Sequence, residues 1–166
     1  DQEEIYSEPL KLETVLWRIH RLYKPYHARL QQLIDARKQK FGSSVLIDCH
    51  SMPSNPSGDR SGERPDFVIG DRFGTSCGPE LSRFVVSQLR AMGYVVAKNK
   101  PYAGGYITEH YGRPGHGLHA LQIEVNRALY LDETTFERNP DFATVQRDLM
   151  SLTSSLIENS SELVEI

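Results

Sequence analysis

The chain has 166 residues, 39% of them hydrophobic and 25% charged, and its formal net charge is −3. These values are typical of a folded globular protein and exclude a disordered one, and the length is sufficient for a single domain over residues 1–166. Acidic and basic residues are mixed without a basic stripe, and no apolar run approaches the roughly 20 residues of a membrane span, so we expect neither nucleic-acid nor membrane partners. The two cysteines lie far apart and no signal peptide is visible, so we expect a cytoplasmic protein without a secreted disulfide scaffold.

A long amphipathic helix is the first predicted element, over residues 12–41. Its apolar residues recur at intervals of three or four, which places them on one face, and we expect that face to pack on a core. Pro25 should kink or split the helix because it has no N–H to donate. Gly42 follows the last turn and is typical of a C-terminal cap.

Short strands and helices alternate through the rest of the chain. Strands are predicted at residues 45–47, 67–69, 94–98 and 120–125, and long loops at residues 52–64 and 99–117. Helices are predicted at residues 79–92 and from Pro140, capped by Asn139, with a last apolar residue at Leu156. This alternation indicates an α/β fold with a largely parallel sheet, in which functional groups gather at the carboxyl ends of the strands.

The run Asp48-Cys49-His50-Ser51 follows the first predicted strand. A histidine just past a buried strand end can point into the crevice above the sheet, where neutral imidazole is a common zinc ligand. Asp48 lies two residues earlier and so faces the same side, where it can accept a hydrogen bond from the other ring nitrogen. The alternative is a capping aspartate beside a hydrogen-bonded core histidine, and the spacing alone favours this alternative.

Glu124 stands on the polar face of the last predicted strand, whose alternate residues Leu121, Ile123 and Val125 are apolar. A carboxylate in a short central strand is unfavourable unless it is paired or used. Partial burial would raise its pKa and suit it to act as a general base near neutral pH. An ion pair with Arg127, or with another arginine at a sheet edge, is supported equally by the pattern.

Two loops carry candidate ligand-binding residues. The loop at residues 99–117 is long and rich in Gly, Pro and Tyr, and its tyrosine, threonine and arginine side chains can bind carboxylates or polarised carbonyls. The alternative is a well-packed covering loop. The run from Gly70 to Cys77 precedes a predicted helix and suits either an anion site, with Arg72 adding positive charge, or a structural turn. His116 and His119 could bind metal, but exposed histidines of this kind are more often solvated.

Taken together, these segments resemble the bacterial N-formylglutamate amidohydrolases. The matching runs extend in order from about Arg18 to Glu133. They are Lys24-Pro25-Tyr26-His27, Leu46-Ile47-Asp48-Cys49-His50-Ser51-Met52-Pro53-Ser54, Gly70-Asp71-Arg72, Gly74-Thr75-Ser76-Cys77, Asn99 with Pro101-Tyr102, Gly104-Gly105-Tyr106-Ile107-Thr108, Tyr111-Gly112-Arg113-Pro114, and Leu121-Gln122-Ile123-Glu124 with Asn126-Arg127-Ala128-Leu129-Tyr130.

The resemblance implies a fold and an activity. The fold is a three-layer α/β sandwich around a mixed, largely parallel sheet, as in the zinc carboxypeptidases to which the family is related. The activity is zinc-dependent hydrolysis of the amide bond of a small acidic N-acyl amino acid. N-formyl-L-glutamate, cleaved to formate and L-glutamate in bacterial histidine catabolism, is the expected substrate.

The resemblance also implies roles for single residues. Glu124 matches the catalytic glutamate, and His50 matches a zinc ligand, with Asp48 behind it. Arg72, Asn99 and Arg113 are expected to hold the substrate carboxylates, and Tyr106 and Thr108 are expected to line the pocket. One zinc ion is expected per complete protein, with the remaining ligands upstream of Asp1. The chain would then be the C-terminal part of a larger hydrolase domain, incomplete at its N-terminus.

Two other functions stay open from the sequence. One is a non-catalytic domain that binds an acidic ligand in the same cleft, which the metal content of the protein would distinguish from an enzyme. The other is a related metal-dependent amidohydrolase or carboxypeptidase with another substrate. The sequence leaves the acyl group and the oligomeric state undetermined.

Overall fold

A computed structural model describes residues 4–55 and 64–164 of the chain. Within these residues the helices are α1 (Leu12–Arg18), α2 (Lys24–Phe41), α3 (Pro79–Ala91), α4 (Tyr106–Tyr111) and α5 (Phe142–Glu158). The strands are β1 (Ser44–Met52), β2 (Phe67–Gly70), β3 (Val96–Lys98) and β4 (Leu118–Asn126). None of the described helices is long and apolar enough to cross a membrane.

The predicted first helix is helical from end to end, with one irregularity. A π-helical turn, Ile19–Tyr23, joins α1 to α2 directly before Pro25, where the regular hydrogen-bond pattern is interrupted as expected. Gly42 ends α2 in the left-handed conformation, as predicted. The expected packing on a core holds only for the C-terminal part, where Ile34 is buried, whereas Leu22 is 58% exposed.

The four described strands form one mixed sheet in the order β1-β4-β2-β3. The pairs β1–β4 and β2–β3 are parallel, and β2 runs antiparallel to β4. The predicted α/β class and mixed sheet are therefore confirmed. The strand β4 lies in the centre, which explains why six consecutive residues from 119 to 124 are buried.

Several predicted elements differ from the structure in extent. The strand β1 continues through Met52 because it pairs with β4 along its whole length, and as an edge strand it is only partly buried. The predicted loop at 99–117 contains α4 and a short 3₁₀ turn, and α5 begins at Phe142, two residues after Pro140. Residues 56–63 of the predicted loop at 52–64 lie outside the described residues.

Helices cover both faces of the sheet and make the fold three-layered. On one face α3 and α5 pack on the larger core, which contains Leu81, Val85 and Leu152 together with the β2 and β4 residues Phe67 and Ile123. On the other face α2 and α4 cover a smaller core at the amino-terminal ends of β1 and β4. This smaller core leaves the carboxyl-terminal halves of β1 and β4 free to carry polar side chains.

His119 is buried in β4, contrary to the expectation of a solvated histidine. Its Nδ1 accepts the backbone N–H of Gly78, 3.0 Å away, at the N-terminus of α3. The ring nitrogen that accepts carries no proton, so Nε2 carries it, and Nε2 is buried without a partner among the described residues. Burial lowers the pKa of His119 below its ordinary value of 6.5.

We expect His119→Asn to flatten the pH dependence of stability. The pKa of His119 is lower in the folded protein than in the unfolded chain, so the unfolded chain takes up the proton first as the pH falls. The neutral ring therefore contributes to stability above pH 6.5, and this contribution is lost as the pH falls below that value. Asparagine can accept the same N–H without titrating. Urea unfolding at about pH 7.5 and about pH 5 should give a smaller difference in unfolding free energy for the variant.

The exposed neighbour His116 provides the control for this experiment. His116→Asn should keep the wild-type dependence on pH. An unchanged slope in His119→Asn would mean that the ring is not buried in its neutral form.

Candidate active site

The register of β1 and β4 brings three of the predicted site residues together. His50 pairs with Glu124, and Asp48 pairs with Gln122, in neighbouring parallel strands. Residues paired in this way point to the same face of a sheet, and here it is the face covered by α2 and α4. An imidazole, two carboxylates and one amide therefore lie side by side at the carboxyl-terminal ends of the two strands.

His50 lies between the two carboxylates. Its Nε2 is 3.0 Å from Asp48 Oδ2, and its Nδ1 is 3.6 Å from Glu124 Oε1. The side chain is 44% exposed. The sequence predicted His50 just past the end of a buried strand, but it lies within the edge strand β1, which explains its exposure. The predicted contact with Asp48 is present, and the negative groups around the ring form an environment that favours a bound cation.

Glu124 is buried on the central strand, with a side chain that is 7% exposed. Burial raises the pKa of this carboxyl group, and this effect outweighs the opposite effects of His50 and of the hydrogen bond from Gln122. The predicted alternative of an ion pair with Arg127 is not what the structure contains, because the Arg127 side chain donates to Ser51. The shifted carboxyl group is suited to accept a proton near neutral pH.

Gln122 connects Glu124 to the loop before α4. Its Nε2 donates to Glu124 Oε1 over 2.7 Å, and its Oε1 accepts the N–H of Gly105 over 2.7 Å. On the other side of the same peptide, Arg72 donates to the carbonyl oxygen of Gly104 over 3.2 Å. Sequence reasoning missed the role of Gln122 because an amide does not titrate, although the alternation in β4 had already placed it on the polar face.

Arg72 lies in a tight turn with an uncommon backbone. Arg72, Phe73 and Asn99 all have positive φ angles, of 50°, 56° and 58°. Such conformations cost roughly 1–3 kcal/mol each for residues other than glycine, and they persist only where the surroundings hold them. Asn99 holds this turn, since its Oδ1 accepts the N–H groups of Asp71 and Phe73.

Asp71 is the buried centre of that turn. It accepts hydrogen bonds from Asn99 and from the N–H of Gly74, and Lys98 Nζ lies 2.7 Å from its Oδ2. Burial opposes its ionisation, but these hydrogen bonds outweigh burial and lower the pKa of Asp71. The side chains of Asn99 and Asp71 therefore satisfy N–H groups of this turn, which is typical of the structural turn, one of the two interpretations that the sequence left open.

The other predicted substrate-binding residues lie in different places. Asn99 is buried and bonded to the turn, and Thr108 is buried and donates to the carbonyl of Gly105. Tyr106 is exposed at the start of α4, where it accepts a hydrogen bond from Tyr23 over 2.8 Å. The substrate-binding roles of these residues stay predictions.

Arg113 follows the C-terminal end of α4. It pairs with Leu118 and donates to the carbonyl of Glu109. Leu118 precedes Glu124 by six residues, which corresponds to about 20 Å along a strand. The guanidinium of Arg113, however, lies against the backbone of Glu109, whose side chain contacts Arg72, so the substrate-binding role of Arg113 stays a prediction.

A cluster of aromatic and imidazole rings between α2 and α4 was not predicted. His27 Nδ1 lies 2.6 Å from the hydroxyl of Tyr111, and the Tyr106 ring stacks on His110. The run Lys24-Pro25-Tyr26-His27 was one of those that carried the resemblance, so its place in the pattern was the available signal. The cluster fixes α4 against α2 and hence the orientation of Tyr106.

The described residues fit one ligand position of a zinc site. His50 offers an accessible imidazole whose other nitrogen contacts Asp48, which is the usual arrangement of a zinc-binding histidine. Within residues 4–55 and 64–164, no group of three His, Cys, Asp or Glu side chains is arranged to hold a metal ion. A catalytic zinc needs three protein ligands, so these residues do not form such a site by themselves.

This chain is similar to N-formylglutamate amidohydrolases. The model of the N-formylglutamate amidohydrolase family matches residues 1–131. The N-formylglutamate deformylase of Pseudomonas putida is 36% identical over 117 residues, which are 70% of this chain and 44% of that protein. The enzyme of the same name from Pseudomonas aeruginosa is 35% identical over 128 residues, 76% of this chain and 48% of that protein. The chain thus spans about half the length of the curated relatives it matches.

A solved structure agrees with these matches. The crystal structure of an N-formylglutamate amidohydrolase from Ralstonia eutropha is 43% identical and superposes with a TM-score of 0.87 over 92% of this chain and 56% of that one. A gene product of Agrobacterium tumefaciens, 18% identical with a TM-score of 0.61, shares the fold alone. The predicted resemblance and the α/β fold are confirmed.

We expect Gly70→Ala to displace the Ala103–Gly104 peptide, which directly precedes the peptide bonded to Arg72 and Gln122. A Cβ at position 70 would lie 2.7 Å from the backbone nitrogen of Gly104 and 2.8 Å from the carbonyl carbon of Ala103, so backbone would have to move. Overpacking of this kind destabilises a protein by about 1–3 kcal/mol. Thermal and urea unfolding would measure the loss.

Gly115→Ala is the matched control, because nothing lies within 4 Å of a Cβ at that position. It should change the unfolding free energy by less than about 0.5 kcal/mol. Equal stability of the two variants would contradict the close approach of residues 103–104 to Gly70.

Proposed function

This chain belongs to the N-formylglutamate amidohydrolase family, and from that membership and the site geometry we propose that its protein hydrolyses the amide bond of an N-acyl amino acid. The proposed substrate is N-formyl-L-glutamate, and the products are formate and L-glutamate. We further propose that the protein is bacterial, which the Pseudomonas relatives support, and that it is cytoplasmic and part of histidine catabolism.

One structural observation gives the strongest support for this proposal. His50 and Glu124 are paired across two parallel strands, so a possible metal ligand and a buried carboxylate with a raised pKa share one end of the sheet. A protein that only bound an acidic ligand would have no need of a buried carboxylate, since its negative charge would repel that ligand.

The chemistry assigned to Glu124 is proton transfer. The carboxylate takes a proton from the attacking water, and the water oxygen forms a bond to the carbonyl carbon. The same proton then passes to the leaving nitrogen as the C–N bond breaks. The second proton of the water leaves the carboxylic acid product for the amine, which gives formate and an ammonium group. The hydrogen bond from Gln122 keeps Glu124 Oε1 in a fixed position during this transfer.

The proposed cofactor is one zinc ion per complete protein. His50 is one of its ligands and Asp48 orients the ring, while further donors lie outside the described residues. A bound zinc ion lowers the pKa of its water and polarises the carbonyl group. Arg72, whose guanidinium is partly exposed beside Gly104, is the proposed binding group for a substrate carboxylate, and Tyr106 is proposed to line the pocket.

We expect Glu124→Gln to abolish most turnover while the zinc is retained. Glutamine keeps the shape and the hydrogen bonds but removes the basicity, and general-base catalysis is worth about 10²–10⁴ in rate. Formate release from N-formyl-L-glutamate, measured in the complete protein beside its zinc content, tests this. Glu137→Gln, at an exposed position, is the control. Turnover within a few-fold of the wild type would make Glu124 a structural residue.

We expect His50→Ala to release the metal. Three protein ligands hold a catalytic zinc, and the loss of one weakens binding by orders of magnitude. Elemental analysis of the dialysed complete protein gives the stoichiometry directly, and His116→Ala controls for the loss of an exposed histidine. Full zinc occupancy in His50→Ala would remove this residue from the metal site.

A further inference from the structure

Arg72 already has a carboxylate partner within the chain. One terminal nitrogen of its guanidinium donates to the carbonyl of Gly104, and the other lies 3.4 Å from Glu109 Oε1. The side chain of Glu109 is 63% exposed on α4, whereas that of Arg72 is 33% exposed. The exposed carboxylate is thus the partner that can leave at small cost, because an exposed ion pair contributes little to stability.

The turn that carries Arg72 is held much more firmly than Glu109. The N–H of Arg72 donates to Ala103, and its carbonyl accepts the hydroxyl of Thr75. Its Cγ would lie 3.2 Å from a Cβ at position 104, so the glycine at this position leaves room for the arginine stem. The guanidinium therefore stays in place whether or not Glu109 contacts it.

We propose that Glu109 occupies the position that a ligand carboxylate takes on Arg72, and that it acts as an internal competitor for that ligand. A free carboxylate can pair with the guanidinium through two parallel hydrogen bonds, which Glu109 at 3.4 Å does not achieve. The identity of the ligand as a dicarboxylic acyl amino acid rests on the proposed function.

The connection to Glu124 defines what kind of ligand fits. The Gly104–Gly105 peptide joins Arg72 to Gln122, and Gln122 joins it to Glu124, so the positive group and the buried carboxylate keep a fixed separation. A ligand with a carboxylate at one end and an amide at the other can span the two. Glu109 sets how tightly the carboxylate end is held.

Titration of the 166-residue chain with glutarate and with L-glutamate tests the inference. Glu109→Gln removes the competitor and should lower the dissociation constant for each by about two- to fivefold, the effect expected from a partly exposed ion pair. Glu80→Gln, which removes an equally exposed carboxylate from a pair with Arg83 on α3, should leave binding unchanged.

A double-mutant cycle with Arg72→Met separates competition from a general effect of charge. Methionine keeps an apolar stem beside Gly104 and lacks the guanidinium, and circular dichroism would verify that the variant folds. In this background Glu109→Gln should have no effect on binding. A tightening of the same size with Arg72 absent, or an equal tightening of sulfate, would overturn the inference.

Failure of this inference and failure of the proposed function give different experimental results. If the complete protein releases formate but Glu109→Gln binds glutarate no better than the wild type, the inference fails alone. If Glu109→Gln tightens glutarate binding through Arg72 and no formate is released, the carboxylate site stands and the proposed reaction fails. Absence of glutarate binding in both the wild type and Glu109→Gln overturns the inference.

Discussion

The peptide between Gly104 and Gly105 is the contact on which the site depends. Arg72 donates to its carbonyl oxygen, and Gln122 accepts its N–H. The preceding peptide, between Ala103 and Gly104, lies directly over Gly70, where a side chain would collide with it. The Gly104–Gly105 peptide is one rigid plane that carries both hydrogen bonds. A shift of this peptide therefore moves Arg72, the start of α4 and Gln122 together.

The surroundings of this peptide explain why strained residues persist nearby. The positive φ angles of Arg72 and Phe73 would be unfavourable in an isolated turn. Lys98 and Asn99 stabilise the ionised form of the buried Asp71, which holds the turn on one side. On the other side the residues between β3 and α4 cover the turn, and Ala103 accepts the N–H of Arg72. The fold therefore stabilises a conformation that the local sequence disfavours, which is the usual condition for a positioned functional group.

The sequence predicted the helices and strands whose apolar residues recur with a clear period. It did not predict the elements whose presence or length depends on tertiary contacts. The apolar face of α3 and the alternation of apolar and polar residues in β4 predicted these two elements correctly. The family motifs identified His50 and Glu124 as candidate site residues. The helix α4 was hidden by the glycines and tyrosines around it, since six residues carry too little periodicity to recognise. The length of β1 depends on its pairing with β4, which no local pattern records.

Roles assigned to polar residues were the hardest to predict. Asn99 and Arg113 were grouped with Arg72 because all three can bind a carboxylate, yet the chain turns Asn99 inward to Asp71, and Arg113 donates to the backbone at the end of α4. Residue chemistry restricts what a side chain can bind, whereas its position in the sheet decides whether it meets the ligand. Gln122 is the converse case, since its position gives it a role that its chemistry did not suggest.

The two halves of the site differ in rigidity, and this difference follows from strand order. Glu124 and Gln122 lie on the central strand, where neighbours on both sides and helices on both faces restrict them. His50 lies on β1, which among the described strands pairs only with β4 and leaves its other edge unpaired. A buried carboxylate and its amide partner thus stand beside an accessible imidazole. The proposed proton transfer would require the first arrangement, and the proposed zinc site would require the second.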